Sequence, residues 1–268
     1  MQDKTLAPGR PVALVTGASS GIGAEYARQL AGKGYDLVLV SNREEELQAV
    51  CCAIAREAGV AAWPLCCDLS TLGAAERVLA WCDQRSLAVE VLVNNAGMFF
   101  MEYLSEDNLD KVRTMMHLHI DAVTELSILM GGRMKSQGRG HILNMSSMTA
   151  RIPAPGITMY SATKAYLKSF GQSLSYELRP FGVTVTTVCP AAVDTALYPL
   201  GSRLRGLLRK VGLIRSPQWL VRRALRAMFR GRRVLSPGLT NVLLPPLVAL
   251  LPARLIDHLG KAWILKAG

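Results

Sequence analysis

Tyr160 and Lys164 stand four residues apart in Tyr160-Ser161-Ala162-Thr163-Lys164, a spacing that puts both side chains on one face of a helix. A phenol titrates near pH ~10 and is a poor acid or base at neutral pH by itself. A neighbouring ammonium favours the phenolate and lowers that value. Tyr160 could then give a proton to a carbonyl oxygen or take one from an alcohol. Ser147 lies thirteen residues earlier, just after the apolar run His141 to Met145. A hydroxyl at the C-terminal end of a parallel strand lies where open α/β sheets bind ligands, and it can hydrogen-bond a substrate oxygen. Each signal also has a plain alternative: Tyr-x-x-x-Lys occurs as an exposed helical pair, and Ser146-Ser147 reads equally as turn chemistry.

A second constellation sits near the N-terminus. The run Val12 to Thr16 leads into Gly17-Ala18-Ser19-Ser20-Gly21-Ile22-Gly23. Glycines let the backbone turn sharply and approach a pyrophosphate with no Cβ in the way, and the N–H groups of a following helix aim at the same anion. A plain βα turn has a similar appearance. The next apolar run ends Val40-Ser41-Asn42-Arg43, with no acid at its tip. Dinucleotide folds that prefer NAD place an acid there for the ribose hydroxyls, whereas an arginine fork pairs with a 2′-phosphate. Asn42 and Arg43 therefore point to NADP(H), with NAD(H) as the alternative if Arg43 merely caps the acidic helix behind it.

The elements that must position these groups alternate. Val12 to Thr16, Asp36 to Val40, Ala61 to Cys67, Val89 to Val93, His141 to Met145 and Val183 to Val188 read as buried strands. Helices are expected over Glu25 to Ala31, Glu44 to Ala58, Leu72 to Asp83, Tyr160 to Leu178 and Gln218 to Arg230. Glu106 to Met134 reads as helix-rich, and a last strand is expected at Arg233 to Leu235. Strands alternating with helices predict an α/β fold, a Rossmann-type doubly wound parallel sheet covered on both faces. One domain is expected over residues 10–237, with 196–216 as a substrate lid and 238–268 as a C-terminal helical, apolar and basic extension.

Taken in order, these features resemble the short-chain dehydrogenase/reductase family. The resemblance covers about residues 10–195 and rests on Thr16 to Gly23, Asp68, Asn94-Asn95-Ala96-Gly97, Ser147, Tyr160, Lys164 and Pro190 to Thr195. It implies an NAD(P)-dependent enzyme acting on CH–OH and C=O groups. Tyr160 would be the acid/base, Lys164 would lower its pKa and bind the nicotinamide ribose, and Ser147 would orient the substrate oxygen. Cofactor contacts would come from Gly17, Ser19, Ser20, Gly21, Ile22 and Gly23, from Asn42 and Arg43, and from Asp68 with Leu69 at the adenine. Asn95, Ala96 and Gly97 would support the cofactor beside the fourth strand, and Val193 and Thr195 would approach the nicotinamide amide. Two departures stand out. His119 takes the place of a catalytic asparagine, and Cys189-Pro190-Ala191 stands where Pro-Gly is usual. His119 is either a member of the proton relay, since imidazole can hold a water or a proton, or a satisfied core residue. A non-catalytic dinucleotide-binding protein of the same fold is the competing function, and His119 alone favours it.

Composition narrows the setting. Half of the 268 residues are apolar, which suits a globular core. No apolar run reaches the ~20 residues that span a bilayer, and residues 1–10 lack the hydrophobic stretch of a signal peptide, so a cytoplasmic location is expected. The six cysteines form no Cys-x-x-Cys pair and are expected to be small buried hydrophobes rather than metal ligands or disulfides. Charge is divided sharply. Residues 1–194 hold 17 basic and 19 acidic residues, whereas 195–268 hold 14 basic residues and one acid, Asp257.

The segments expected near the substrate are apolar: Met98-Phe99-Phe100-Met101, then Ile152, Pro153, Pro155, Ile157 and Met159, then Leu197, Leu200, Leu204, Leu207 and Leu208. They suit a small apolar ketone or alcohol, steroid or fatty-chain in type, unless they only pack the core. The basic C-terminal quarter and the aliphatic run Val242 to Ala253 could rest on a membrane surface. A solvated helix face and a subunit contact are the alternatives, and a homo-oligomer is expected. Nucleic acid is disfavoured, because the basic stretch lacks interleaved aromatic residues.

Overall fold

A computed structural model describes residues 9–152, 154–194, 214–252 and 254–256. Seven parallel strands form one sheet in the order β3-β2-β1-β4-β5-β6-β7. The strands are β1 (Val12–Thr16), β2 (Asp36–Ser41), β3 (Ala62–Cys66), β4 (Val89–Asn94), β5 (Gly140–Met145), β6 (Val183–Val188) and β7 (Val234–Leu235). β1 and β2 are buried along their whole length, as expected of strands covered on both faces. β3 is only half-buried, which corrects the expectation of a buried strand. It is the sheet edge, and Pro64 within it, paired in register with Leu39, is tolerated there because an edge has no ladder to lose on its outer side.

The helices are α1 (Gly21–Ala31), α2 (Glu44–Ala58), α3 (Ala74–Gln84), α4 (Leu109–Met116), α5 (Ala122–Gln137), α6 (Thr158–Leu178), α7 (Pro217–Phe229) and α8 (Thr240–Ala249). Two buried clusters lie on opposite faces of the sheet. One joins β1 and β2 to Tyr26, Leu30, Leu47, Leu220 and Leu225, and the other joins the alternate strand residues to Val78, Leu126, Met130 and Leu174.

Three features go beyond the sequence expectation or differ from it. α1 begins at Gly21, four residues before Glu25. Low helix propensity in Gly-Ile-Gly is overridden by close packing: a Cβ on Gly23 would run into the Gly17 carbonyl. The helix-rich stretch from Glu106 divides into α4 and α5 around a π-helical turn at His117–Asp121, a wide turn that local propensity does not signal. The cysteines are not uniformly buried. Cys51, Cys82 and Cys189 are, but Cys52 and Cys66 are exposed and Cys67 is intermediate. Helical neighbours such as Cys51 and Cys52 point ~100° apart, so only one can face the core.

Candidate active site

The strand order reverses between β1 and β4, and ligands of open α/β sheets bind outside the carboxyl ends of the strands at such a point. Thr16 closes β1 there. Its Oγ1 donates to the Val93 carbonyl and accepts the N–H groups of Asn95 and Ala96, at 3.0 Å each. The Asn95 amide returns to β1, donating to the carbonyls of Thr16 (3.0 Å) and Gly17 (3.3 Å). Below it, the Asn94 amide donates to Asn144 Oδ1 and Ser127 Oγ. These bonds fix the glycine turn against the fourth strand. Gly17 has φ 64° and lies so close to Ala96 that a Cβ would stand 2.8 Å from its Cα.

Above this junction a cleft of about 550 Å³ runs along the sheet. Of the expected cofactor residues, Gly17, Ser19, Ser20, Gly21, Ile22, Asn42, Arg43, Asp68, Leu69, Asn95, Ala96, Gly97, Tyr160, Lys164 and Val193 all line it, as do Ser147 and His119. Gly23 is absent from the lining and acts from behind, through its contact with Gly17. Thr195, Pro153 and the lid leucines 197, 200, 204, 207 and 208 lie outside the described residues. Met98, expected near the substrate, also lines the cleft, and Ser41, Thr114 and Leu118 line it without having been expected there.

The turn end of the cleft fits a pyrophosphate. Ser20, extended at the N-cap of α1, makes no side-chain capping bond, and the first helical turn holds no acid. Its N–H groups and the positive end of the helix dipole are thus left for an anion. Beside it, Ser41 Oγ donates to Ser19 Oγ (2.9 Å). Arg43 is exposed at the start of α2 and makes no side-chain capping bond. Asp68 accepts from the Ser70 N–H and hydroxyl, which holds its carboxylate at the cleft wall.

At the other end, the start of α6 carries Tyr160 and Lys164, both buried. Ser146 Oγ donates to the Lys164 carbonyl (2.7 Å), fastening α6 to the end of β5. Lys164 Nζ donates to the Met145 carbonyl (3.0 Å) and stands 5.5 Å from the centre of the Tyr160 ring. Burial pushes the lysine pKa down to about 8, so at neutral pH the ammonium persists beside the phenol. Ser147 caps the short turn Met148–Arg151 and accepts the Thr149 N–H.

His119 is 1% exposed. Its Nε2 accepts the Met98 N–H at 3.0 Å, so that nitrogen carries no proton. The proton therefore sits on Nδ1, donating to Thr163 Oγ1 at 2.9 Å, and Thr163 donates onward to the Tyr160 carbonyl. Burial, with the Lys164 charge second, holds the imidazole pKa well below its usual value. Both ring nitrogens are occupied by protein groups, which is the arrangement of a satisfied buried histidine. Thr163, the partner that makes this possible, was not singled out in the sequence; its position three residues after Tyr160 on the same helix was the available signal.

Apolar side chains surround the phenol. Met98, Phe99, Phe100, Met101, Met115, Ile157 and Met159 gather with Tyr160 in one cluster, and the Phe99 ring meets the Tyr160 ring edge-on at 5.0 Å.

The sequence profile described as short chain dehydrogenase matches residues 11–200. The chain belongs to this family. A very-long-chain 3-oxoacyl-CoA reductase of Danio rerio is 31% identical over 191 residues, 69% of this chain and 59% of that protein. Human 17-beta-hydroxysteroid dehydrogenase type 3 is 33% identical over 188 residues, 69% and 60% of the two chains. This short-chain dehydrogenase thus spans about three fifths of the length of those two relatives. A short-chain dehydrogenase from Sphingobium yanoikuyae, solved in complex with NADPH, superposes with a TM-score of 0.76 at 30% identity, covering 91% of this chain and 97% of the other.

Proposed function

We propose that this protein is an NADP(H)-dependent oxidoreductase that interconverts a ketone and a secondary alcohol on an apolar substrate of fatty-chain or steroid type. One observation carries the reading: Ser147, Tyr160 and Lys164 line the same cleft as the glycine turn and the free N-terminus of α1. When bound, the nicotinamide supplies or accepts the hydride. Tyr160 delivers the proton to the carbonyl oxygen, or removes it from the alcohol. Lys164 holds a positive charge beside the phenol and so favours its anion. Ser147 donates a hydrogen bond to the substrate oxygen, where charge develops. His119 acts as a positioning residue, tying the Gly97-Met98 backbone to Thr163 on α6.

Preference for the phosphorylated cofactor rests on Ser41-Asn42-Arg43, which offers hydroxyl, amide and guanidinium but no carboxylate at the end of β2. The substrate class rests on the methionine and phenylalanine cluster around Tyr160, and both curated relatives carry names of lipophilic-substrate enzymes. We further infer a peripheral location at the cytoplasmic side of a membrane. Among the described residues no helix is long and apolar enough to cross one.

A panel of 3-oxoacyl and steroid ketones, assayed with NADPH and with NADH, tests the reading. Turnover of at least one apolar ketone with NADPH is expected. Tyr160→Phe should lower kcat by ~10²-fold or more, the scale of lost general acid–base catalysis, while leaving cofactor affinity intact. Undiminished turnover by that variant would refute the mechanism.

A further inference from the structure

We propose that α8, with Trp219 at its base, is a docking surface for an anionic lipid bilayer. The helix presents an apolar stripe to solvent: Leu239, Val242, Leu243, Leu247 and Leu250 are 57% to 82% exposed. Isolated exposed leucines are ordinary, but five on one short element form a patch that needs an occupant. Its other side is fixed to the body. Asn241 and Pro245 on that side are buried, and the helix packs against the Met148–Arg151 turn. The stripe is therefore held outward by the fold rather than left there by fraying.

Cations gather at the base of this stripe. Trp219 lies between the Arg215 and Arg223 guanidiniums, 5.1 and 4.5 Å from its ring centre. The far edge of its ring approaches Gly238, at the base of α8, within 4.0 Å of where a Cβ would stand. Arg151 reaches the same base and donates to Ser236 Oγ at 2.6 Å, and Arg254 is exposed just past the helix. Among the described residues none of these four arginines has a carboxylate partner, and residues 195–256 contain no Asp or Glu at all. An apolar face bordered by a tryptophan and by arginines matches the layering of a membrane interface, where acyl chains lie beneath anionic headgroups.

Charge chooses among occupants. A second copy of this chain would bring the same basic quarter against itself, which repels. A nucleic acid would leave the leucine stripe unused. The surface also has a place in the proposed chemistry. α8 packs against the Met148–Arg151 turn, which begins directly after Ser147. A docked protein would thus face lipid beside its substrate cleft.

The test is sedimentation of the full-length protein with vesicles of phosphatidylcholine alone, or with about one third phosphatidylglycerol, at low and high salt. Binding to the anionic vesicles is expected to be at least tenfold tighter than to neutral ones, and to weaken at high salt as screening predicts. Leu243→Glu with Leu247→Glu should abolish it. Arg215→Glu with Arg223→Glu should weaken it at low salt only. Both substitutions fall on exposed positions, and thermal unfolding checks that each variant folds. Equal binding to both vesicle types, no binding, or binding indifferent to the leucine variant overturns the proposal. So does a sizing profile in which the leucine variant dissociates a dimer while lipid binding is nil. The readout needs no turnover, so a failure to find a substrate leaves it intact, and a failure here leaves the oxidoreductase reading intact.

Discussion

Replacing Lys164 by methionine should make the cofactor-free protein more stable and less active at once. The ammonium is buried, and burial lowers its pKa from 10.5 to about 8. At pH 6.5 the lysine is charged in both the folded and the unfolded chain, and that difference corresponds to about 3 kcal/mol of unfavourable burial. Between pH ~8 and pH ~10.5 the folded chain binds fewer protons than the unfolded one, so stability rises with pH and the penalty fades; at pH 9.5 about 1.5 kcal/mol of it remains. Methionine fills a similar volume without charge. It gives up the bond from Nζ to the Met145 carbonyl, a loss of about 1 kcal/mol. A net gain of about 2 kcal/mol is therefore expected at pH 6.5, shrinking towards zero by pH 9.5. Urea unfolding of both proteins at the two pH values measures it, and the same samples assayed with NADPH and a ketone should show turnover collapsed. A variant less stable than the parent at pH 6.5, or a stability gap that ignores pH, would refute the argument that the active site holds its charge against the solvation preference of the fold.

Arg43→Ala should raise the KM for NADPH by about tenfold, the scale of a lost charge-assisted pair, and leave the KM for NADH unchanged; equal effects on the two cofactors would remove the 2′-phosphate role. His119 stays neutral when folded but titrates near pH 6.5 when unfolded, so the unfolded chain takes up the extra proton as pH falls. Its contribution to stability is complete above pH ~6.5 and declines below it, by up to about 1.4 kcal/mol per pH unit. His119→Asn should flatten that acid slope in unfolding titrations run from pH 5 to 7. His119→Ala should also leave the Met98 N–H without its acceptor, at about 1–3 kcal/mol, while the Thr163 hydroxyl keeps its bond to the Tyr160 carbonyl. If His119 instead titrates within the folded protein over that range, as read by imidazole NMR shifts, the assigned tautomer and the clamp role are both wrong.

Much of this protein is decided by short-range pattern. Apolar runs of five or six residues, separated by helical stretches, fixed the order of strands and helices. The i, i+4 spacing was enough to put Tyr160 and Lys164 on one helix face. The glycine turn placed the cleft's anion end, because the steric freedom of glycine is a local property. Nearly all the residues expected around the cofactor from the family resemblance line one cleft. What tertiary structure alone decided are the contacts made across long sequence separations. Thr16 and Asn95 join β1 to β4 across almost eighty residues. His119 finds Met98 and Thr163 at separations of 21 and 44 residues; the Met98 N–H sets its tautomer, and burial holds it neutral. The start of α1 at Gly21 follows from packing that outweighs local propensity, and the π turn at His117 carries no local signal. Burial behaves the same way. Sequence marks Cys52, Cys66 and the leucines of α8 as apolar, but only the packed fold determines which apolar side chains find a neighbour and which remain facing the solvent, since burial depends on what the rest of the chain brings alongside.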